Sequence, residues 1–306
     1  MKRREFLKFQ AAGAFCLAAG GAGLLLPSPV LAAPGPDLAV VTGRAEAATR
    51  AAVGLLGGMG RFVKTGNKVV IKPNMSFGRG PESGTTTHPG VVLALATLCS
   101  EAGASRVLIL DHTLEETEEC LEGSGIRAAC EKLGSGLVQG LSAERFFRQA
   151  DIPDGVDMKE NRIMADVLSA DVLIAAPVAK SHSSTGVSLS LKGMMGLVLD
   201  RSPMHSRYDL DTAIVDLNSR LKARLTVIDA TRVLSTNGPS GPGKVLPADT
   251  VIASADPVAA DAYAVSAFEW YGKRFAPRQV RHVRLAAERG LGRMDLENLS
   301  VRQVSL

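Results

Sequence analysis

Aromatic residues are scarce in this chain: 4% of 306 positions, with a single tryptophan and three tyrosines. A platform that stacks single-stranded nucleic acid needs exposed rings in number, so that class of partner is disfavoured from the start. Histidine is nearly as rare, at five residues, and no two lie at the H-x-x-x-H spacing of a helical zinc site. Any metal centre must therefore assemble from separate loops. Cysteine occurs four times. Cys16 lies in the N-terminal segment, and Cys99, Cys120 and Cys130 cannot supply four thiolates to an iron–sulfur cluster within one chain. Cys120 and Cys130 flank the Gly123-Ser124-Gly125 turn, close enough in sequence to pair in an oxidising compartment. Buried free thiols are the plainer alternative, above all for Cys99 in its apolar helical stretch. The chain also lacks internal repeats, coiled-coil heptads and low-complexity tracts.

What is present begins with a targeting pattern. Lys2-Arg3-Arg4-Glu5-Phe6-Leu7-Lys8 places paired arginines before a glycine- and alanine-rich apolar run to Leu26, followed by a small-residue exit at Val30-Leu31-Ala32-Ala33. A basic opening, a mild apolar centre and an Ala-x-Ala-like end describe a secretory signal of the twin-arginine type. Glycines interrupt the run, which falls short of a span of about 20 residues. We therefore expect cleavage near Ala32 or Ala33, a periplasmic protein, the twin-arginine export machinery as a partner, and no stable membrane span afterwards. Removing residues 1–32 lowers the formal charge from +4 to +1. That balance points to no nucleic-acid partner.

Along the remaining chain, short apolar runs alternate with helical patterns. Strands are predicted at Leu38–Thr42, Lys68–Lys72, Arg106–Leu110, Asp171–Ala176, Leu225–Asp229, Thr250–Ser254 and Leu299–Val304. Helices are predicted at Ala45–Phe62, Pro89–Ala102, Glu116–Leu133, Leu191–Val198, Leu210–Leu221, Pro257–Trp270 and Pro277–Glu288. The alternation predicts one α/β domain over 33–306, a mostly parallel sheet with helices on both faces, and a small antiparallel excursion near 134–164.

Unusual polar residues fall where strands end. Lys72-Pro73-Asn74 closes the second strand and Asp111-His112-Thr113 the third. Lys180 and His182 lie in the loop expected from Pro177 after the fourth, Asp229 and Thr231 follow the fifth, and Asp256 the sixth. Open α/β sheets bind ligands at the carboxyl ends of their strands, so these groups define a candidate site. Lys72 and Lys180 suit an anion; Asn74, Thr87 and Ser190 add neutral hydrogen-bonding groups. Thr87 and His88 equally suit plain capping of the helix that Pro89 opens. Lys192 sits at the opening turn of a helix, where a cation opposes the dipole unless an anion offsets it; such conflicts mark functional positions. The catalytic candidates are His182, Lys192 and Asp111, and the candidate metal ligands are His182, His205 and Asp256. The Asn237–Gly243 loop matches no phosphate-binding motif and reads as structural.

The blocks Val70-Ile-Lys-Pro-Asn74, Thr87-His-Pro89, Lys180-Ser-His182, Ser190-Leu-Lys-Gly-Met-Met-Gly196, Ile214-Val-Asp-Leu217, Asp229-Ala230 and Gly238-Pro239 occur in this order. Together they resemble the Domain of Unknown Function 362 family over nearly all of the chain after the signal. The resemblance implies a fold and a motif map but no settled activity. Some members of that family append a ferredoxin-like cysteine cluster; this chain has none, so no iron–sulfur centre is implied. Asp111-His112-Thr113, and His182 ten residues before Lys192, are similar at greater distance to the lactate racemase family, which uses a nickel pincer nucleotide. That likeness implies His182 as a proton-transfer base, Lys192 as a cofactor attachment point and His205 as a metal ligand. The chain departs from that family in reading Ser190-Leu191 where a glycine pair is expected.

The expectation from sequence is an exported enzyme acting on a small anionic substrate with the help of a divalent metal or another cofactor. The alternative is a non-catalytic periplasmic protein that binds an anion or metal or serves as a redox partner.

Overall fold

Successive side chains of a strand point to opposite faces of its sheet, and the apolar runs of this chain use both. In Lys68–Pro73 (β2, with Leu38–Thr42 as β1), Val69 and Ile71 join one buried cluster and Val70 the other. Arg106–Asp111 (β3) repeats the division, with Val107 and Ile109 set against Leu108 and Leu110. Two apolar cores, one on each face, are what a sheet covered by helices on both sides requires.

The computed structural model describes residues 35–306, which form one compact unit from Gly35 to Leu306. The expected signal over residues 1–32, with Cys16, lies outside the described residues. The strands continue with Val138–Gly140 (β4), Phe147–Asp151 (β5), Glu160–Met164 (β6), Val172–Ala176 (β7), Val178–His182 (β8), Gly186–Ser188 (β9), Leu225–Leu234 (β10) and Val245–Ser254 (β11). Two short strands, Glu269–Trp270 (β12) and Lys273–Arg274 (β13), pair with each other, and Val301–Ser305 is β14. Helices are Ala45–Leu55 (α1), Pro89–Glu101 (α2), Thr117–Gly123 (α3), Ile126–Cys130 (α4), Ala165–Leu168 (α5), Ser190–Gly193 (α6), Ser202–Ser206 (α7), Leu210–Arg220 (α8), Pro257–Ala267 (α9) and Arg281–Glu288 (α10). Among the described residues no helix is long and apolar enough to cross a membrane.

The main sheet runs in the order β14-β1-β11-β10-β7-β2-β3-β4, with β8 paired to β10 and β9 paired to β8. Neighbours are parallel except where β11 meets β1 and β10, and where β9 folds back on β8. The fold is the α/β layering expected from sequence. Three differences matter. The segment Val178–His182, expected as part of a loop, is a buried strand that prolongs β7 along β10. The excursion near 134–164 is half correct: β5 and β6 form an antiparallel pair, but β4 joins the main sheet in parallel with β3. The third is the direction of β11, where Ser254 pairs with Thr226 at the start of β10. The end of β11 therefore lies at the amino edge of the parallel strands, away from the other candidate groups.

Cys99, Cys120 and Cys130 are buried free thiols, and burial pushes the Cys120 and Cys130 thiols up to about 11. Asp216 of α8 ties the β5–β6 connection to the core. Its buried carboxylate accepts from the backbone N–H groups of Val156, Asp157 and Met158 at 2.7, 2.9 and 2.8 Å and pairs with Arg289 at 2.6 Å. Removing a buried carboxylate leaves those donors and the arginine without their partner. Asp216→Ala should therefore lose about 3 kcal/mol of stability in urea unfolding; a loss under about 0.5 kcal/mol would show that the hairpin is held by packing alone.

Candidate active site

β2 and β3 end side by side, which brings Lys72 and Asp111 together. Lys72 Nζ lies 3.0 Å from Asp111 Oδ1, and both side chains are buried. The other carboxylate oxygen accepts from Met75 N and Ser76 Oγ, each at 2.9 Å. Asp111 thus shapes the loop after β2 as well as neutralising Lys72. The partner of this catalytic candidate is thus a lysine. Burial lowers the Lys72 ammonium and Asp111 partly restores it. Gly196 passes over this pair so closely that a Cβ there would overlap Asp111 Oδ1 and Lys72 Cε, and its carbonyl accepts from His112 N at 2.8 Å. Only glycine allows that approach.

Around the pair opens a cavity of about 710 Å³ walled by the ends of β2, β3 and β8, by α6 and by the segment leading into α7. Four cations line it: Lys72, Lys180, Lys192 and Arg201. Among the described residues Asp111 is the one acidic side chain in the wall, and Lys72 occupies it. The other three cations have neutral contacts. Lys180 donates to the Thr85 carbonyl at 2.8 Å and lies 5.1 Å from the centre of the Phe77 ring. Lys192 has Met195 Sδ at 3.7 Å. The Arg201 guanidinium donates to the carbonyls of His112 and Thr113 at 3.0 and 3.1 Å. Burial without a counter-ion disfavours charge. Burial, then the neighbouring Lys192 and Lys72, pulls the Lys180 ammonium down to about 7. Burial and then Arg201 pull Lys192 down to about 8.

Three imidazoles share the same cavity. His182 Nδ1 accepts from Ser184 N at 3.2 Å, so the neutral ring carries its proton on Nε2. Burial, reinforced by Lys192, holds His182 down at about 3, which keeps it neutral. His112 is the opposite case: its Nδ1 faces the Val198 carbonyl at 2.9 Å and must donate, leaving Nε2 with the lone pair. Burial also lowers His112 and His205. The rings of His182 and His205 stack at 6.4 Å between centroids and 20° between planes.

The remaining candidates divide. Asn74 reaches the cavity wall, and its Oδ1 accepts from Val178 N at 2.9 Å, locking β8 to the end of β2. Thr87 is structural: its hydroxyl accepts from Asn74 N and donates to the Ala176 carbonyl, both at 2.8 Å. Asp229 turns inward to accept from His88 N and Thr231. In the 237–243 loop Gly238 N donates to Ser181 Oγ at 3.0 Å, and Pro239 alone lines the cavity. Ser190 hydrogen-bonds the buried Asp261 and does not line the cavity. Asp256 belongs to the other edge of the sheet, where it caps α9 through Val258 N and Ala259 N at 2.8 and 3.0 Å. The expected ligand set of His182, His205 and Asp256 is therefore not brought together, because β11 runs against its neighbours. Among the described residues no group of three or more His, Cys, Asp or Glu is placed to hold a metal ion. A bare divalent cation does not fit two imidazoles flanked by three uncompensated positive groups.

Two residues were missed from sequence. Arg201 sits in an irregular stretch with no motif to flag it. Asp261 accepts from Ser190 N and Leu191 N at 2.9 and 3.0 Å, placing a carboxylate at the opening of the turn that carries Lys192. It satisfies the free N–H groups at the start of that turn, while Lys192 itself keeps no acidic partner among the described residues. A carboxylate inside the apolar run Pro257–Ala267 was the available signal.

Lys180 is held near 7 in the fold and titrates near 10.5 when unfolded. Between those values the folded state binds fewer protons, so this residue lowers stability more as pH falls from 10 to 7. Lys180→Met keeps the stem and removes the charge. The variant should melt above the parent at pH 7, with the gap closing towards pH 10; a variant that melts lower at pH 7 would contradict the uncompensated charge. Gly196→Ala should cost about 2 kcal/mol through overlap with the Lys72–Asp111 pair, measured by chemical unfolding, and a neutral result would refute the close approach.

The thylakoid-associated protein sll1697 of Synechocystis sp. (strain ATCC 27184 / PCC 6803 / Kazusa) is 27% identical over 191 residues, covering 60% of this chain and 58% of that protein. The chain thus spans 58% of the length of the curated relative it matches. Among solved structures, the lactate racemase apoprotein from Thermoanaerobacterium thermosaccharolyticum is similar with a TM-score of 0.40 at 13% identity, covering 71% of this chain and 54% of that one. A family model described as Domain of unknown function (DUF362) matches residues 69–266, from β2 to the end of α9. On that match, over more than half of its length, the chain belongs to the DUF362 family.

Proposed function

We propose that this protein is an enzyme that binds a small anionic substrate in the 710 Å³ cavity and moves a proton on it. The observation that carries this reading is the joint presence of three cations without counter-ions and two neutral imidazoles set in opposite tautomers. Lys180, Lys192 and Arg201 are the anion-holding groups. An anion restores the charge that burial strips from the two lysines, so binding is favoured where water has been excluded. His112 Nε2, with its lone pair, is the base. His182 Nε2–H is the acid or hydrogen-bond donor to a developing negative charge. Ser184 N and the Val198 carbonyl fix these roles through the far nitrogen of each ring. Lys72 and Asp111 serve as the scaffold beneath.

The expected divalent metal enters this reading only if it brings its own negative charge, as part of an anionic cofactor, because the protein groups present supply too little. Export through a twin-arginine signal, with a periplasmic location, is part of the proposal on the strength of residues 1–33 alone.

The test is proton exchange with solvent. Small organic acids and phosphorylated metabolites are incubated with the protein in D2O, and C–H loss is followed by NMR. A substrate should exchange with the parent protein, while His112→Asn and His182→Asn should each slow exchange by at least about 100-fold. Binding of an anion with no exchange across the panel would make the protein a non-catalytic binder and end the catalytic reading.

A further inference from the structure

Resting on the reading of this cavity as an anion site, we infer that its ligand carries a phosphate group, and that simple carboxylates are not what the cavity is built for. Charge balance and free donors both favour phosphate. Lys180, Lys192 and Arg201 stand without an acidic partner among the described residues, while the wall's one carboxylate is taken by Lys72. A monocarboxylate would offset one of the three. A phosphate monoester, at about −1.5 to −2 near neutral pH, offsets most of them.

The donors say the same. An ammonium has three N–H groups and a guanidinium five. Lys180 spends one on the Thr85 carbonyl. Lys192 has only the weak Met195 sulfur as a neighbour. Arg201 uses its two contacts on the His112 and Thr113 carbonyls. Lys180 is buried and Lys192 and Arg201 are half-buried, and most of their donors have no oxygen acceptor in the protein, so a ligand in the cavity can take them. They also come from different walls: β8, the first turn of α6, and the residue before α7. A carboxylate offers two oxygens in one plane, whereas a phosphate presents oxygens in several directions and suits an arginine fork combined with lysine point charges.

The probes are inorganic phosphate, malonate and acetate, titrated calorimetrically against the full chain and against Lys192→Met and Arg201→Met. Lys192→Met removes an uncompensated charge, so it should fold at least as well as the parent, with melting by circular dichroism as the check. Phosphate should bind, malonate and acetate at least about tenfold more weakly, and each variant should lose at least about tenfold in phosphate affinity, as expected for one charge-assisted hydrogen bond. Malonate or acetate binding as tightly as phosphate would overturn the phosphate assignment and leave the anion site standing. Phosphate binding that survives both substitutions would place it elsewhere on the protein and overturn the assignment too. No binding by any of the three would overturn the anion-site reading itself.

Discussion

The buried pair of Lys72 and Asp111 is the interaction on which the carboxyl edge of this sheet depends. It joins the ends of two parallel strands, orders the loop after β2 through Met75 N and Ser76 Oγ, and receives the Gly196 backbone directly above it. It also consumes the one acidic side chain that the described residues bring to the cavity wall. Among the described residues the other three cations of the wall, Lys180, Lys192 and Arg201, have no acidic partner, which costs the ligand-free protein stability. Proteins keep such costs where function needs them. The cavity is thus better understood as a place made incomplete without a negative partner than as a surface that happens to be polar.

Much of the fold was legible in the sequence because buried parallel strands leave apolar runs, and β1, β2, β3 and β7 begin within a residue of where those runs do. Helix starts held at Pro89 and Pro257, while the helix expected from Pro277 begins at Arg281, after a 3-10 turn at Pro277–Gln279. What failed was direction. Nothing in Thr250–Ser254 distinguishes a parallel strand from an antiparallel one, yet the reversal of β11 sends Asp256 to the far edge and dissolves the expected ligand set. Lys180-Ser-His182 read as a loop because its side chains are polar. It is a strand whose backbone is satisfied by β9 and β10, with Lys180 and His182 reaching the wall of a cavity.

The site itself was legible in part. Lys72, Asn74, Asp111, Lys180, His182, Lys192 and His205 all reach one cavity, since strand-end polar groups on parallel strands converge by topology alone. Thr87 and Ser190 have the right chemistry but spend it on backbone and on Asp261. Arg201 could not have been found, because an arginine in an irregular segment carries no periodicity. The tautomers of His112 and His182 were equally hidden: they follow from backbone groups at Val198 and Ser184 that only the folded chain brings to the rings.

The central claim is that positive charge is buried here without compensation. Its most direct test is NMR titration of lysine side chains labelled at the ε carbon, in the ligand-free protein. Lys180 should titrate near 7 and Lys192 near 8, with Lys72 also lowered by burial, and the first two should rise when an anion occupies the cavity. Titration of every lysine near 10.5 would mean that counter-charge or water already satisfies the cavity, and would contradict the account.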